Sequence, residues 1–443
     1  MKEIEISQLE SIEEEYVKER CSSIARHALS QTDLAVVAAS KDTVCDMDFQ
    51  FDIDIKTMPV NNQKSSGRCW IFAACNFLRE SIGKKLGIKE FKLSQSYLAF
   101  YDKLEKLNYT LNALIETIDE DYDDRTVQFL VANGIGDGGQ WDMIVNIIKK
   151  YGVCPKNAYV ETFTSSNTRT LNSLLNTELR KFASEARKVK AEKGLEAVEE
   201  LKDSYIKRFY RALISCYGIP PKSFDLKYKD DKGKLQVIKG FTPKSFFDKY
   251  VGNKLDEYVS VINAPTKSKP FNRSYTVEYL GNVTGGKIVK HLNLPMERVK
   301  ELIIAQLKDG EIVWYGSDVA FYGDRMRGVW DDQEFDFKSV VDLDYKMDKG
   351  ESLDFRASAM GHAMCVTGVA FDENGVPTKW KIENSWGNDR GYDGYFIMSA
   401  SFFDQYVYQA VVNKKYLTKE ELAQYEAEPI MLKPWDPMGS LAK

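Results

Sequence analysis

Apolar residues recur at helical spacing through most of the first two thirds of the chain. The pattern predicts helices over residues 7–28, 69–86, 94–107, 141–151 and 295–308. Between 165 and 218 it stays helical but is rich in Glu, Lys, Arg and Ala, with an interruption at Gly194. Because such a polar helix has little apolar surface to bury, we expect a solvated helical pair in that region.

The last third of the chain changes to apolar runs and alternations of strand length, separated by turn residues. Four segments show this pattern: 311–315, 362–369, 379–384 and 394–398. They predict an antiparallel sheet or a small barrel. Shorter strand-like pieces alternate with Pro and Gly turns between 222 and 290, and residues 49–55 also read as extended.

Composition disfavours several classes of protein. The chain has 443 residues, 43% of them hydrophobic, which is enough for a large core in two or three compact units. Its 61 Lys and Arg and 66 Asp and Glu are interleaved and give a formal charge of −5, so nucleic-acid binding is not indicated. The acidic N-terminus lacks a secretion signal, and no apolar stretch approaches membrane-spanning length. We therefore expect a cytoplasmic protein without membrane contact.

Cysteine and histidine usage narrows the chemistry. No C-x-x-C pair occurs, so neither a disulfide framework nor a zinc site is indicated and no metal is expected. The seven cysteines are Cys21, Cys45, Cys69, Cys75, Cys154, Cys216 and Cys365, and apart from Cys69 we expect them to be structural. Only three histidines are available as a base, namely His27, His291 and His362.

Cys69 begins the predicted helix 69–86, and Gln63 lies six residues upstream in the approaching loop. The free N–H groups and the dipole of a helix start favour a thiolate over a thiol, so a nearby imidazolium has to supply only the rest of the pKa depression. The Cys69 N–H and the Gln63 amide are candidate oxyanion donors. The alternative interpretation is a buried core cysteine, as most free cysteines are.

His362 and Asn384 are candidates for the rest of a cysteine-protease site. His362 begins a predicted strand after the small, flexible run 359–361, which suits an imidazole that projects into a cleft. Asn384 ends another strand, where its amide can accept the second imidazole N–H. The simpler interpretations are a satisfied core histidine and a turn residue. Trp386 either belongs to the core or shields the hydrogen bond between Asn384 and His362 from water.

The glycine-rich turn 133–141 contains Gly138 and Gly139 but lacks the G-K-[ST] ending of a phosphate-binding loop. Glycines let a peptide backbone approach closely, so we expect these two to form a substrate-binding edge. A plain turn is the alternative.

Taken together, three motifs resemble the papain superfamily in order and local context. They are Gln63 through Cys69-Trp70, Gly361-His362, and Asn384-Ser385-Trp386-Gly387. One departure is Arg68, which stands where papain-type chains carry a small residue and which touches none of the expected catalytic roles. Gly138 and Gly139 match the family's position for contact with substrate.

The spacing between the motifs points to a subgroup. His362 follows Cys69 by 293 residues, against roughly 130 to 150 in papain-like chains, so about 150 residues are inserted. A chain enlarged in this way resembles bleomycin hydrolase and bacterial aminopeptidase C. The local sequence also resembles that group at residues 93–98, 138–143 and 434–439.

The resemblance implies an α+β, papain-like two-lobed fold, with a helical lobe and an antiparallel barrel-like lobe. Five regions are expected: an N-terminal extension (1–60), a helical lobe with the catalytic Cys (61–160), an inserted, largely helical oligomerisation region (161–310), a β-rich lobe with His and Asn (311–425), and a C-terminal arm that enters the cleft (426–443).

The resemblance also implies a function. It is that of a cytosolic cysteine aminopeptidase, homohexameric and free of cofactors, that cleaves peptides with a free N-terminus through a thioester at Cys69. Activity like that of bleomycin hydrolase is included. A terminal carboxylate on the arm, from Ala442 or Lys443, would receive the substrate's amino group. Two alternatives remain open at this point: a cysteine acyltransferase, and a non-enzymatic nucleic-acid-binding protein.

Overall fold

The structure is a computed structural model that describes residues 2–41, 47–230, 232–320 and 322–442. We number its helices in chain order as α1 (Ile6–Tyr16), α2 (Ser22–Leu29), α3 (Leu34–Ala38), α4 (Cys69–Leu86), α5 (Gln95–Glu116), α6 (Arg125–Asn133), α7 (Trp141–Tyr151), α8 (Phe163–Ser166), α9 (Arg169–Lys193), α10 (Leu195–Tyr217), α11 (Pro243–Tyr250), α12 (Met296–Lys308), α13 (Phe337–Val341), α14 (Lys349–Asp354), α15 (Ala400–Tyr406) and α16 (Lys419–Glu426). Short 3-10 helices span Gly252–Glu257, Lys414–Tyr416 and Pro437–Ala442. No helix in these ranges is long and apolar enough to cross a lipid bilayer.

The strands are β1 (Ile53–Asp54), β2 (Phe224–Lys229), β3 (Leu235–Phe241), β4 (Tyr258–Ile262), β5 (Arg273–Val277), β6 (His291–Asn293), β7 (Val313–Ser317), β8 (Gly323–Asp324), β9 (Val329–Trp330), β10 (His362–Phe371), β11 (Pro377–Glu383), β12 (Tyr395–Ser399), β13 (Val407–Asn413) and β14 (Ile430–Leu432). Within the described ranges, twelve of them form one sheet in the order β14-β5-β6-β4-β13-β7-β10-β11-β12-β9-β8, with β1 beside β10. Strands β2 and β3 form a separate hairpin. The fold is therefore mixed α+β.

The sheet is mostly antiparallel around its centre. Strand β10 pairs antiparallel with β7, where His362 lies opposite Ser317, and with β11, where Cys365 lies opposite Glu383. Three pairs are parallel: β4 with β6, β9 with β12, and β5 with β14. The predicted antiparallel arrangement of the last third is thus found, with β4 to β6 joined to it from earlier in the chain.

Strand β10 separates two hydrophobic cores. Ala363 and Cys365 belong to the core that contains α4 and most of the helices, whereas Met364 and Val366 belong to the core on the other face of the sheet. Successive side chains of a strand point to opposite faces, which is why one strand serves both cores. The catalytic candidates in α4 and β10 consequently lie at the junction of the two cores.

Most predicted helices and strands are present. The predicted helices 69–86 and 141–151 match α4 and α7, and the helical pair interrupted at Gly194 is formed by α9 and α10. The single helix predicted over 7–28 is instead two helices, α1 and α2. In the segment 49–55 only Ile53–Asp54 pairs as a strand.

Candidate active site

Cys69 is the first residue of α4, as the sequence predicts. Arg68 is the N-cap residue, and its carbonyl accepts the N–H groups of Ile71 and Phe72, each at 3.0 Å, which form the first turn. The helix packs against β10, where the N–H of Ala363 donates to the Cys69 Sγ at 3.4 Å. The residue after His362 therefore touches the thiol.

His362 and Asn384 are brought together at the ends of β10 and β11. The His362 Nε2 lies 2.9 Å from the Asn384 Oδ1, and the Ser385 N–H donates to the same oxygen at 2.7 Å. Since a backbone N–H can only donate, that oxygen is an acceptor and the imidazole must donate from Nε2. The Nδ1 atom is left to receive a proton from a thiol. Asn384 thus selects the tautomer of His362 that carries its proton on Nε2.

Gln63 is placed by contacts on both sides of its carboxamide. The Ser385 Oγ donates to the Gln63 Oε1 at 2.6 Å, and the Gln63 Nε2 donates to the Ser66 carbonyl at 2.6 Å. The Gln63 N–H also donates to the Ser385 carbonyl at 2.8 Å, so the approaching loop is tied to the segment after β11. An amide nitrogen carries two hydrogens, and one of them remains for an oxyanion. Ser385 therefore helps to position the Gln63 carboxamide, a role that the sequence did not indicate.

Burial acts against ionisation of each catalytic group by itself. It raises the pKa of Cys69 to about 11, although hydrogen bonds from the N–H groups of Ala363, Trp70 and Cys69 lower it. Burial also lowers the pKa of His362 to about 4, against the opposing effect of the hydrogen bond to Asn384. A position at a helix start supplies only effects that lower the pKa of Cys69, so burial could not be inferred from it. Neither group is ionised by its own surroundings, so a thiolate at Cys69 requires a neighbouring cation, a part that a protonated imidazole can play.

Arg68 has a structural role that the sequence did not reveal. Its Nη1 donates to both carboxylate oxygens of Glu161, at 3.0 and 3.1 Å, and its Nε donates to the Ser66 Oγ at 2.9 Å. The Ser66 Oγ in turn donates to the Gln63 carbonyl at 2.6 Å. A buried arginine thus braces the loop between Gln63 and Cys69. The partner Glu161 is 93 residues away in sequence, so no local pattern could indicate the pair.

Asp137 braces the same loop from the other side. Its carboxylate accepts the Gly67 N–H at 3.0 Å and the Asn172 amide at 3.0 Å, and it pairs with the buried Lys103. Thr168 is a further hydrogen-bond donor to it. Burial alone would raise the pKa of Asp137, but Lys103 and the hydrogen bonds outweigh burial and hold that pKa well below its usual range.

We expect Asp137→Asn to lower the free energy of unfolding by about 3–5 kcal/mol, because it leaves the Lys103 charge buried without a counter-charge. Urea denaturation at pH 7 measures this. The matched control is Asp256→Asn, which removes an exposed ion pair with Lys149 and should cost no more than about 1 kcal/mol. Equal losses in the two variants would contradict the role given to Asp137. Because a depressed pKa stabilises only the ionised form, this contribution is present above the unfolded-state pKa and is lost as the pH falls through the folded-state value.

Of the three residues predicted to bind substrate, Gly139 lies next to Trp70 and Trp386 lies next to His362. The Gly138 carbonyl accepts a hydrogen bond from Lys106, and a Cβ atom on Gly139 would come within 2.5 Å of the Trp70 ring. Packing against Trp70 therefore requires glycine at 139 whether or not substrate binds there. The Trp386 ring lies 4.9 Å from the His362 ring, between centroids, which places it over the imidazole.

The C-terminal segment contacts Met360, which lies close to His362 in the sequence. The Ser440 Oγ donates to the Met360 carbonyl at 2.7 Å, two residues before His362, and the Gln140 Nε2 donates to the Met438 carbonyl at 3.2 Å. Gly439 and Ala442 line a cavity of about 90 Å³ that the four predicted catalytic residues do not line. Lys443 lies outside the described residues, as does Cys45.

Comparisons with known proteins give a consistent result. The model of the Peptidase C1-like family matches residues 3–439. Aminopeptidase C of Lactobacillus delbrueckii subsp. lactis is 46% identical over 445 residues, covering 100% of this chain and 99% of the relative. Human bleomycin hydrolase is 41% identical over 405 residues, covering 89% of each chain. The crystal structure of PepW from Lactobacillus rhamnosis matches with a TM-score of 0.96 at 44% identity and covers 99% of both chains.

Proposed function

The chain belongs to the Peptidase C1-like family and is a cysteine-type aminopeptidase, and we propose that it removes N-terminal residues from peptides in the cytosol through a thioester at Cys69. The observation that carries the proposal is the meeting of α4 and β10, where the Ala363 N–H reaches the Cys69 Sγ. It joins the thiol to the strand that begins with His362.

The reaction begins when the Cys69 sulfur attacks the carbonyl carbon of the first peptide bond. Charge develops on the carbonyl oxygen, where the Gln63 amide and the Cys69 N–H donate hydrogen bonds. His362 gives its proton to the leaving amine, which departs and leaves an acyl group on the sulfur. His362 then takes a proton from water, and the resulting attack releases the N-terminal residue. The site chemistry requires no metal or organic cofactor.

Restriction to free N-termini is proposed to come from the C-terminal arm. Besides the contacts of Met438 and Ser440, its base is anchored by a salt bridge between Asp436 and the buried Lys269 at 3.0 Å. An arm in this position leaves room for few substrate residues before the scissile bond. A carboxylate at its end, on Ala442 or Lys443, would pair with the substrate's ammonium group. Gly138, Gly139 and Trp386 are proposed to contact the substrate.

We expect N-acetylation of an aminoacyl-arylamide to lower kcat/KM by about two orders of magnitude or more, because it removes the charge that the arm would pair with. Removal of residues 437–443 should reduce this difference and permit cleavage of N-acetylated peptides at internal bonds. Ser440→Ala, which keeps the arm but loses one hydrogen bond, is the control. Equal cleavage of free and acetylated substrates by the intact enzyme would contradict aminopeptidase action.

The architecture proposed with this function is a two-lobed papain-like enzyme with the active site between residues 61–160 and 311–425, an insertion over 161–310, and an extension over 1–60. A homohexamer is part of the proposal. Helix α1 supports association with other copies, because none of its residues is buried and Ile6, Leu9 and Ile12 expose an apolar stripe. The number six rests on the family resemblance, and sedimentation of the purified chain tests it.

A further inference from the structure

A short turn between β8 and β9 carries Arg325, whose side chain lies next to Trp386, the neighbour of His362. The Asp324 carboxylate accepts the N–H groups of Met326 at 2.9 Å and Arg327 at 2.8 Å, which closes the turn. The Gly391 N–H donates to the Met326 carbonyl at 2.9 Å, so the turn is also attached to a neighbouring loop. Residue 328, which follows, has φ 77° and lies so close to Gly391 that only glycine fits. These contacts hold the turn in one conformation.

Arg325 lies in this turn, and its side chain lies over the Trp386 ring. Its guanidinium carbon lies 5.1 Å from the Trp386 ring centroid, and that ring lies 4.9 Å from the His362 ring. These spacings put the guanidinium within about 10 Å of the imidazole, the length of about three extended residues. The Trp386 ring also packs against the rings of Trp330 and Phe396, and these contacts support the indole in this position.

The charge of Arg325 is not neutralised by a carboxylate within the described part of the chain. The side chain is exposed, and no carboxylate among the described residues forms an ion pair with it. Its neighbour Arg327 differs, because its Nε pairs with Asp324 at 3.4 Å. A guanidinium that lies on an aromatic face keeps its N–H fork free for an anion, and a carboxylate fits that fork.

The leaving part of a substrate would pass this guanidinium. The arm binds Met360 and Gln140 on one part of the site, and within the described residues it makes no hydrogen bond, ion pair or ring contact with Trp386 or Arg325. Because His362 gives its proton to the leaving amine, the leaving segment must start at the imidazole. From there the face of Trp386 leads towards Arg325.

We propose that Arg325 binds a carboxylate on the leaving segment, two residues after the scissile bond, and thereby favours tripeptides with a free C-terminus. The inference rests on the proposed aminopeptidase function and adds a preference on the other side of the scissile bond. The same guanidinium accepts an acidic side chain at that place, so the recognised group is a carboxylate from either source. Burial lowers the pKa of His362 most, and the nearby charge of Arg325 adds to that lowering, which agrees with their proximity.

The test compares a neutral tripeptide, its C-terminal amide, and the amide with Glu as third residue, with release of the first amino acid measured at low salt. In the wild type we expect kcat/KM for the free acid to exceed that for the amide by about tenfold, as for a hydrogen-bonded charge pair. The Glu-containing amide should recover part of that advantage. High salt should reduce the advantage of the free acid over the amide.

Arg325→Gln should bring the acid-to-amide ratio close to one, and Arg325→Lys should restore part of it. Arg327→Gln is the matched control in the same turn and should keep the wild-type ratio. Each ratio is taken within one variant, so a general loss of activity cancels. An unchanged ratio in Arg325→Gln would overturn this inference, while hydrolysis of aminoacyl-arylamides would still support the aminopeptidase. Absence of arylamide hydrolysis in the wild type would overturn the proposed function itself.

Discussion

Cys69→Ala is expected to lower kcat by about four to six orders of magnitude, because the variant has no atom that can form the thioester. The protein should still fold, since the change removes a single sulfur atom at the start of a helix most of whose other residues are buried. Hydrolysis of an unblocked aminoacyl-arylamide by freshly purified protein measures the effect.

The control is Cys75→Ala, which alters a buried cysteine of the same helix that has no place in the reaction. We expect its kcat to stay within a few-fold of wild type, with a small loss of stability from the missing sulfur. Peptidase activity in Cys69→Ala at the wild-type level would contradict the role of the nucleophile. An equal loss in both variants would point to damage of the helix instead.

His362→Ala is expected to have a loss of similar size, because the same imidazole accepts the thiol proton and later protonates the leaving amine. It should also change the pH dependence of the Cys69 thiol. In the wild type we expect Cys69 to react with iodoacetamide at neutral pH, because the proposed ion pair with His362 favours the thiolate. Without the imidazole, burial controls the thiol, and reactivity should appear only as the pH rises towards a pKa of about 11.

The measurement is the alkylation rate of Cys69 against pH, followed by peptide mapping so that the exposed Cys21 is counted separately. His27→Ala is the control, because His27 is exposed on α2, in the N-terminal segment. Its profile should match the wild type. A His362→Ala profile that also matches the wild type would show that the helix start alone ionises the thiol.

Local sequence patterns were sufficient to predict the elements that carry the chemistry. Apolar periodicity predicts α4 from its first residue, and the short apolar run after Gly361 predicts the strand that begins at His362. These features are local, since a helix start and a strand start depend on neighbouring residues. The contact between the Ala363 N–H and the Cys69 Sγ then brings the two elements together across nearly three hundred residues.

The residues that support the site could not be predicted in the same way. Asp137 reaches Gly67 across 70 positions, and Ser385 reaches Gln63 across 322. Each is an ordinary polar residue whose role depends on a distant partner. The single helix predicted over 7–28 is wrong for another reason: a polar run follows Tyr16, and within the described residues neither α1 nor α2 contributes to a hydrophobic core.

Burial is the other property that the sequence does not contain. The helix dipole and the backbone N–H groups at Cys69 lower its pKa, as the local pattern suggests, yet burial in the core that contains α4 raises that pKa by more. We therefore propose that Cys69 depends on His362 for its ionisation. A reading confined to the helix start would assign the thiolate to Cys69 alone.

The most direct test of a thioester at Cys69 is to quench the enzyme in acid during turnover of an aminoacyl-arylamide, digest it at low pH, and weigh the peptides. The account predicts a peptide containing Cys69 that carries the mass of the aminoacyl group and loses it on treatment with hydroxylamine. Rapid turnover with the aminoacyl group on another residue, at quench times when an acyl-enzyme accumulates, would contradict it.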